Sequence, residues 1–349
     1  MNLRIGILTD QFPSRGNPDR GTFIQDLVKH LRSAGIAVVV ISHEKNFAAM
    51  SLECFMKSAQ VDLLDAQFVA PAGVVAALTP RFSPFVITVH RWDIFEFPHK
   101  WPMARIATLV ALGRASGIIA VGRAVKSELM KFVPPKSIVA VIPNAVDTER
   151  FRPGLEFSSL KERLGIPESH GVILSVGRLI PRKGFQFLLQ AMAGVVKEFH
   201  SCTLVIVGGG PQRRALEELG QRLGLGNRLK FTGTVEDSVL PSVYAMADIF
   251  VMPSLSEGHC VSILEAMSAA KPVVASAIPA NAESVLHWQN GFLVQPKNCD
   301  ALASGIVRLL QDEQLRDDFG RCSREIAVRE FGWGLRLRRL TNFYESLLG

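Results

Sequence analysis

Cysteine is scarce in this chain, and the few copies form no pattern. Five cysteines occur among 349 residues at scattered positions, with no C-x-x-C pair. An odd number at such spacings favours neither a disulfide framework nor a zinc cluster. A protein of the reducing cytoplasm is therefore expected. The five are Cys54, Cys202, Cys260, Cys299 and Cys322.

Long apolar runs are missing as well. The apolar segment near the start, residues 5–9, is too short for the core of a signal peptide and leads into a predicted strand. No other run approaches the roughly 20 residues that a membrane span needs. The sequence thus predicts neither a secretion signal nor a transmembrane helix.

Several catalytic motifs are absent from the sequence. It has no G-x-x-x-x-G-K-[S/T] phosphate loop, no G-x-S-x-G nucleophile elbow and no H-E-x-x-H zinc motif. The run Gly208-Gly209-Gly210 is not a dinucleotide fingerprint, because Arg213 occupies its last glycine position. A dinucleotide-binding oxidoreductase is therefore not indicated. The absence of an Asp-x-Asp triplet argues against a metal-dependent sugar transferase, so no metal site is predicted.

The composition is that of an ordinary globular protein. Hydrophobic residues make up 48% and charged residues 20% of the chain, whose length suits about two domains. The formal net charge of +7 allows attraction to phosphates, anionic lipid or nucleic acid and selects none of them. Because no basic run is interleaved with aromatics, no nucleic-acid partner is expected.

Near-continuous apolar strands alternate with helix-compatible segments twice along the chain. This pattern is typical of parallel, doubly wound sheets. Turn formers and charges break the pattern at residues 147–154, which predicts a boundary between two Rossmann-like α/β domains there. The first set of predicted strands is 3–9, 38–42, 61–66, 85–88, 117–121 and 139–142; the second is 172–176, 203–207, 229–232, 249–252, 272–275 and 291–294.

Residues 253–265 form the most informative strand-loop-helix unit. Glu257 falls on the loop and Glu265 about one turn into the helix, so both can face the carboxyl edge of the sheet. Amide groups near Gly258, His259 and Cys260 suit an anion such as a diphosphate, and the two carboxylates suit sugar hydroxyls. The alternative is local: a first-turn acid that complements the helix dipole and a solvated helix residue. From this stretch alone both interpretations stay open.

Other candidates lie where further strands end. Arg178 and Lys183, in a loop that begins at Gly177, can converge on a diphosphate or can form a solvated charge cluster. His90 follows the fourth strand, where a neutral imidazole could bond a sugar hydroxyl, although a lone histidine is more often a packed residue. Gly21 opens a helix after a polar loop and is either a ligand contact or a turn former.

Taken together, several segments resemble the retaining glycosyltransferases of family four, which have the GT-B fold. The resemblance covers nearly the whole chain and depends on the shared order and spacing of its pieces. These are 141–147 with 151–153, Gly177-Arg178 with Lys183-Gly184, 204–211, 231–233, Ala247-Asp248 with Pro253-Ser254, and 257–267 with 272–275.

The resemblance implies two Rossmann-like domains facing a central cleft. Residues 1–149 would form the acceptor-side domain, joined by a closing helix at 332–349, and residues 150–331 the nucleotide-sugar domain. It implies a metal-independent transferase that needs no cofactor, since the nucleotide-diphosphate sugar, of UDP or GDP type, is a substrate. The acceptor would be a glycan, a lipid-linked or a small molecule.

The family likeness also assigns site residues. Arg178 and Lys183 would bind the diphosphate and stabilise its departing charge, Glu257 would contact the transferred sugar, and Glu265 the ribose. His90 would reach the donor sugar. These four catalytic candidates, His90, Arg178, Lys183 and Glu257, are joined by donor-binding candidates at Gly21, Gly177, Gly209, Gly258, His259, Cys260, Val261 and Glu265.

Departures from the family pattern suggest alternatives. His259-Cys260 stands where an aromatic and a glycine are usual, and Arg91-Trp92 replaces a small pair after the histidine. A non-catalytic GT-B protein that binds nucleotide or a partner is therefore a second hypothesis, and a GT-B nucleotide-sugar epimerase a third. The expected location is the cytoplasm. A membrane-associated location is a further hypothesis, in which Arg15, Arg20 and Phe12 would contact an anionic leaflet.

Overall fold

The computed structural model describes residues 3–13, 21–44, 46–80 and 82–349. The chain divides into two compact units. Unit 1 consists of Met1–Asn144 and Trp333–Gly349, and unit 2 consists of Ala145–Gly332. Each contains a six-stranded sheet in which all paired strands are parallel. The α/β class and the two doubly wound sheets predicted from the sequence are confirmed, and each of the twelve predicted strands is present.

Unit 1 has the strand order β2-β1-β3-β4-β5-β6. Helices α2, α3, α5 and α6 share a hydrophobic core with one face of this sheet, and helices α1 and α14 share a core with the other. The strands are β1 Arg4–Thr9, β2 Ala37–Ser42, β3 Leu63–Gln67, β4 Phe85–Val89, β5 Gly117–Ala120 and β6 Val139–Val141. The helices are α1 Thr22–Ser33, α2 Phe47–Ser58, α3 Val74–Leu78, α4 Trp92–Phe95, α5 Pro102–Arg114, α6 Arg123–Leu129 and, from the end of the chain, α14 Trp333–Glu345.

Unit 2 has the strand order β12-β11-β10-β7-β8-β9, the doubly wound order of dinucleotide-binding sheets. Helices α8, α9 and α12 pack on one face, and α10 and α11 on the other. The strands are β7 Gly171–Val176, β8 Cys202–Val207, β9 Leu229–Gly233, β10 Ile249–Met252, β11 Val273–Ser276 and β12 Gly291–Val294. The helices are α7 Ser158–Arg163, α8 Phe185–Glu198, α9 Arg213–Arg222, α10 Leu240–Met246, α11 Val261–Ser268, α12 Cys299–Gln311 and α13 Glu313–Phe331.

The last helix, α14, is anchored to unit 1 through buried polar groups. Tyr344 Oη donates to Asp65 Oδ2 at 2.7 Å, and Arg336 donates to the Pro143 carbonyl and to Asn144 Oδ1. Burial raises the pKa of Asp65 to about 6, although hydrogen bonds and the Arg336 charge oppose that rise. The end of the chain therefore completes the core of the unit in which the chain begins.

Among the described residues, every helix is too short or too polar to cross a bilayer.

Candidate functional site

Glycines let three loops of unit 2 meet backbone to backbone at the carboxyl edge of its sheet. These loops follow β7, β8 and β10. Gly184 has a φ of 71°, and a Cβ there would lie 2.1 Å from the Pro253 carbonyl oxygen. Gly208 has a φ of 129°, and a Cβ there would lie 2.2 Å from the Gly177 carbonyl oxygen. Glycine alone fits at both positions, so the loops are fixed to one another.

The loops after β7 and β10 leave neighbouring strands where the strand order reverses. β7 and β10 are paired, yet the chain continues from β7 to β8 on one side and from β10 to β11 on the other. Open α/β sheets bind ligands in the crevice at such a switch point. The Leu255 amide donates to the Arg182 carbonyl oxygen at 2.7 Å, which joins the two loops there.

Glu257 is paired with two cations at this switch point. Its Oε1 lies 2.7 Å from Lys183 Nζ, and its Oε2 lies 3.2 Å from Arg182 Nη1. Ser254 Oγ donates to Glu257 Oε1 at 2.6 Å. The side chains of Glu257 and Lys183 are 8% and 12% exposed, so the pair is largely shielded from water.

The two buried partners keep each other charged. Burial by itself would raise the pKa of Glu257, but the charges of Lys183 and Arg182 outweigh it and hold that pKa below its ordinary value. Burial would lower the pKa of Lys183, whereas the Glu257 carboxylate raises it, with a net rise. With the arginine, which is always protonated, the three groups carry one net positive charge at neutral pH.

The glycine candidates at 177 and 209 belong to the same loops. Lys183 passes over Gly177, since a Cβ there would lie 3.4 Å from Lys183 Cε. Gly209 is exposed, and its carbonyl oxygen accepts from the Leu179 amide at 2.8 Å. Arg178 is also exposed, and within the part of the chain that the structure describes its guanidinium has no hydrogen bond or ion pair.

Helix α11 begins next to this cluster. Cys260 precedes Val261, the first helical residue, and among the described residues no side chain caps this end. The first amides of a helix lack partners inside the helix and carry the positive end of its dipole. The buried Gly258 leads into this turn. The helix end therefore adds N–H donors beside the two paired cations.

His259 and Cys260 turn their side chains into unit 2. The His259 ring packs against Phe331 with centroids 5.4 Å apart, and its Nε2 lies 3.4 Å from Ser284 Oγ. Cys260 is 5% exposed and joins the hydrophobic core. Burial raises the pKa of its thiol. Its φ is −80°, which any residue adopts, so the backbone at this position does not require the glycine that is usual in the family.

Glu265 is held by a buried tyrosine. Its Oε2 accepts from Tyr244 Oη at 2.6 Å, so helix α10 fixes a carboxylate on helix α11. Burial and then the Glu265 charge raise the pKa of Tyr244 far above its ordinary value. The tyrosine therefore stays protonated and acts as the donor in this contact.

In unit 1, His90 lies at the end of β4 among buried polar groups. Its Nε2 is 3.1 Å from Oε1 of Gln67, the last residue of β3, and its backbone N–H donates to Asp93 Oδ2 at 3.1 Å. Burial, aided by the Arg336 charge, lowers the pKa of His90 to about 3. The imidazole is therefore neutral at physiological pH and can donate and accept hydrogen bonds.

Gly21 belongs to the same edge of unit 1. Its φ is 66°, and a Cβ there would lie 2.1 Å from the Gln11 carbonyl oxygen. Phe23, two residues later, places its ring centroid 5.1 Å from that of His90. Arg15, Arg20 and most of the polar loop before Gly21 lie outside the described residues.

The bulky pair after His90, Arg91 and Trp92, contacts residues that lie close by in the sequence. Arg91 forms an ion pair with Glu96, and the Trp92 ring lies 5.2 Å from the Phe97 ring between centroids. Both side chains thus pack against the short helical segment that follows β4.

Five residues of the sites escape sequence reasoning: Arg182, Ser254, Tyr244, Gln67 and Asp93 in its role as acceptor for the His90 amide. Arg182 stands beside Lys183 in one turn, so adjacency is a usable signal for it. Tyr244 and Gln67 contact partners 21 and 23 residues away, which no local spacing reveals.

Two parallel doubly wound units, the second with a buried cation-carboxylate cluster at its switch point, agree with the GT-B architecture that the sequence predicts. Residues 156–326 match the family described as glycosyl transferases group 1, and residues 46–150 match glycosyltransferase family 4. The chain belongs to the group 1 glycosyltransferases.

Relatives and solved structures agree with this membership. A GDP-mannose-dependent alpha-(1-6)-phosphatidylinositol monomannoside mannosyltransferase of Mycobacterium tuberculosis is 30% identical over 78% of this chain and 73% of its own length. A 2-deoxystreptamine glucosyltransferase of Streptomyces kanamyceticus is 30% identical over 80% and 74%. An uncharacterized glycosyltransferase of Methanocaldococcus jannaschii is 32% identical over 65% of this chain, which spans 59% of that relative.

Among solved structures, Anabaena Alr3699/HepE in complex with UDP and glucose superposes with a TM-score of 0.83. The match covers 99% of this chain and 100% of that one, at 25% identity. Sucrose-phosphate synthase from Thermosynechococcus elongatus gives a TM-score of 0.82 at 23% identity, with 99% of each chain covered, which is a likeness of fold.

Proposed function

We propose that the chain is a retaining, metal-independent glycosyltransferase that moves a sugar from a nucleotide-diphosphate sugar to an acceptor hydroxyl. The observation that carries this proposal is the buried cluster of Glu257 with Lys183 and Arg182 at the unit 2 switch point. A diphosphate leaving group needs fixed positive charge, and a hydroxyl-rich sugar needs an acceptor for its hydrogen bonds. The cluster supplies both at one place.

Each candidate residue has a role in this proposal. Lys183, Arg178 and Arg182 bind the diphosphate together with the first amides of α11, around Gly258, His259, Cys260 and Val261. Glu257 accepts from a hydroxyl of the transferred sugar, and Glu265 accepts from the ribose hydroxyls. Gly177 and Gly209 let the backbone approach the nucleotide. The neutral His90 bonds the donor sugar, and Gly21 lies on the phosphate side.

The proposed chemical step is the same-face displacement that the family resemblance implies. The bond between the anomeric carbon and the phosphate oxygen breaks while the acceptor oxygen attacks from the same face. The acceptor proton passes to the departing phosphate oxygen, so no protein base is needed and the anomeric configuration is retained. Lys183 and the arginines stabilise the charge that grows on the diphosphate, which is the part of the reaction that protein groups must supply.

The donor and acceptor classes are proposed from relatives. The Anabaena neighbour is described with UDP-glucose and the mycobacterial relative as GDP-mannose-dependent, so a UDP- or GDP-sugar is the proposed donor. The acceptor is a glycan, a lipid-linked or a small molecule, since the named relatives act on phosphatidylinositol monomannoside and on 2-deoxystreptamine. The proposed location is the cytoplasm, including the inner face of the membrane.

The direct test is transfer from a UDP- or GDP-sugar in the presence of a chelator. We expect turnover that is insensitive to EDTA and a product whose new glycosidic bond has the anomeric configuration of the donor, read by proton NMR of the linked sugar. Inversion at the anomeric carbon would refute the same-face mechanism. Loss of turnover with EDTA that added magnesium restores would refute metal independence.

A further inference from the structure

Large apolar side chains are exposed mainly on unit 1. Fifteen such side chains are exposed in the described part of the chain, and twelve of them belong to unit 1. Scattered single apolar residues are normal on a protein surface, whereas a contiguous set marks an interaction surface.

Helix α2 carries the first stripe of this set. Its buried side consists of Met50, Cys54 and Ser58. Its opposite side exposes Leu52 at 60%, Phe55 at 41% and Met56 at 55%. The two charged residues of the helix, Glu53 and Lys57, form an ion pair with each other. The outward side of α2 is therefore apolar, where a solvent-facing helix would ordinarily be polar.

Helix α5 repeats the arrangement. Met103, Ile106 and Leu109 recur at helical spacing and are 65%, 50% and 42% exposed, while Ala104 and Thr108 face the core. Trp101, just before the helix, is 53% exposed.

The two stripes lie in one layer with α3 between them. All three helices contribute to the core on the same face of the unit 1 sheet. The Phe82 ring, 72% exposed, lies 5.8 Å from that of Phe55, and Arg114 at the end of α5 donates to the Ala77 carbonyl oxygen in α3. We name this surface the outer apolar face. It consists of Leu52, Phe55, Met56, Leu78, Phe82, Trp101, Met103, Ile106 and Leu109.

Positive charge accompanies this face. Unit 1 contains 19 Lys and Arg against 11 Asp and Glu, a net +8, whereas unit 2 contains 20 against 21, a net −1. Residues 97–146, which include α5, hold seven of these cations and one acid. Arg105 and Arg114 on α5 are exposed. The whole positive excess of the chain thus lies in the unit that exposes the apolar side chains.

We propose that the outer apolar face docks unit 1 onto the surface of an anionic lipid bilayer. The apolar side chains enter the boundary between headgroups and acyl chains, and the surrounding cations attract acidic headgroups. A second copy of the chain is the poorer occupant, because pairing two such faces would bring together two units of net +8. This docking does not depend on the proposed sugar transfer, since it needs neither donor nor acceptor.

Co-sedimentation with vesicles tests the proposal on the whole chain. We expect binding to vesicles of phosphatidylcholine with about one third phosphatidylglycerol at low salt, and at least about tenfold weaker binding to phosphatidylcholine alone or at high salt, because a Debye length of about 3 Å at 1 M salt screens the headgroups. Equal binding to neutral and anionic vesicles, or no binding to either, would overturn it.

Matched variants locate the surface. Leu52→Ser and Ile106→Ser should each weaken vesicle binding several-fold, and the double variant about tenfold or more, because each removes inserted apolar area. Val328→Ser is the control, since Val328 is 49% exposed on α13 in unit 2 and should bind as the unaltered chain does. Unchanged thermal unfolding shows that the variants are folded.

Two outcomes would assign the face to another occupant and refute the proposal. One is equal vesicle binding by the double variant and the control. The other is a dimer in light scattering that Leu52→Ser dissociates. A failure of donor binding in the same preparations would bear on the transferase proposal alone, because the vesicle assay contains no sugar.

Discussion

Glu257 lies between Lys183 and Arg182, and this has a mechanistic consequence. A carboxylate 2.7 Å from Lys183 Nζ occupies one of the directions in which that ammonium can donate. An arriving diphosphate must share Lys183 with Glu257. The Glu257 carboxylate also keeps Lys183 charged at this buried position, since it raises the pKa that burial would lower.

Charge-removing variants of this pair should separate chemistry from folding. We expect Lys183→Met and Glu257→Gln each to lower turnover by about a hundredfold or more, as loss of a group that stabilises the transition state typically does. Glu257→Gln retains an oxygen for Ser254 Oγ but removes the carboxylate that balances Lys183 and Arg182, so its unfolding temperature should fall while the fold is kept. Initial rates with saturating donor are the measurement, and Lys197→Met, at an exposed site on α8, is the control. Full activity in both pair variants would remove these residues from the site.

His90 should stay neutral through the physiological range. Its pKa in the fold is about 3, below the ordinary 6.5. Its contribution to stability is therefore fully present above pH 6.5 and is lost as the pH falls from 6.5 through 3. Proton NMR of the ring, assigned with His90→Gln, should show no titration between pH 5 and 8. A midpoint near 6.5 would contradict the buried, neutral imidazole.

Helix α11 carries Glu265, the proposed ribose ligand, and helix α10 fixes that carboxylate through Tyr244. The Tyr244→Phe variant should free Glu265 Oε2 from its donor and raise the KM for the donor several-fold, with kcat changed less, because the ribose contact is made in both ground and transition states. It should also cost about 1 kcal/mol of stability, the usual worth of a hydrogen bond. An unchanged KM would show that Glu265 needs no such support.

Tyr344→Phe provides the matching contrast in α14. The hydroxyl of Tyr344 donates to the buried Asp65, so its removal should lower the free energy of unfolding by about 1–3 kcal/mol, the cost of an unsatisfied buried group. The donor KM should stay as it was. Asp65 also makes the stability depend on pH, because its pKa is raised from 3.8 to about 6 in the fold. Its contribution to the free energy of unfolding is fully present below pH 3.8 and is lost as the pH rises through 6. Denaturant unfolding at pH 5 and pH 8 measures both effects, and a shifted donor KM would refute the contrast.

The elements of this fold are largely readable from the sequence, but its polar pairs are not. Strands such as β10 are short, wholly apolar runs bounded by turn formers, so local composition identifies them. Glu257 and Glu265 are found because strand ends predict the carboxyl edge of a sheet. Tyr244, Gln67 and Arg182 are missed or passed over because their importance depends on contacts between elements. The turn at Cys260 has a negative φ that local sequence does not reveal, so a residue other than glycine fits there without backbone strain.

The two units of the molecule differ in net charge and in the number of exposed apolar side chains. Unit 2 is nearly neutral overall and holds Lys183 and Arg182 against Glu257 in one cluster, whereas unit 1 carries the positive excess and most of the exposed large apolar residues. Family membership accounts for the cation-carboxylate cluster of unit 2, because such transferases use a nucleotide-sugar donor. The arrangement in unit 1 is independent of it, and this is why vesicle binding and donor binding are separate experiments.

Donor binding by the intact chain tests the central claim most directly. In a thermal-shift panel of UDP-, GDP- and ADP-sugars, one nucleotide-sugar at about a hundredfold excess over its Kd should stabilise the native state by about 2.7 kcal/mol and raise the unfolding temperature by several degrees. The Lys183→Met variant should lose most of that shift, measured against its own unfolding temperature without ligand, which should be lower because the buried Glu257 loses a cationic partner. If no nucleotide-sugar raises the unfolding temperature of the unaltered chain, or if Lys183→Met shifts equally, the proposed donor site is wrong.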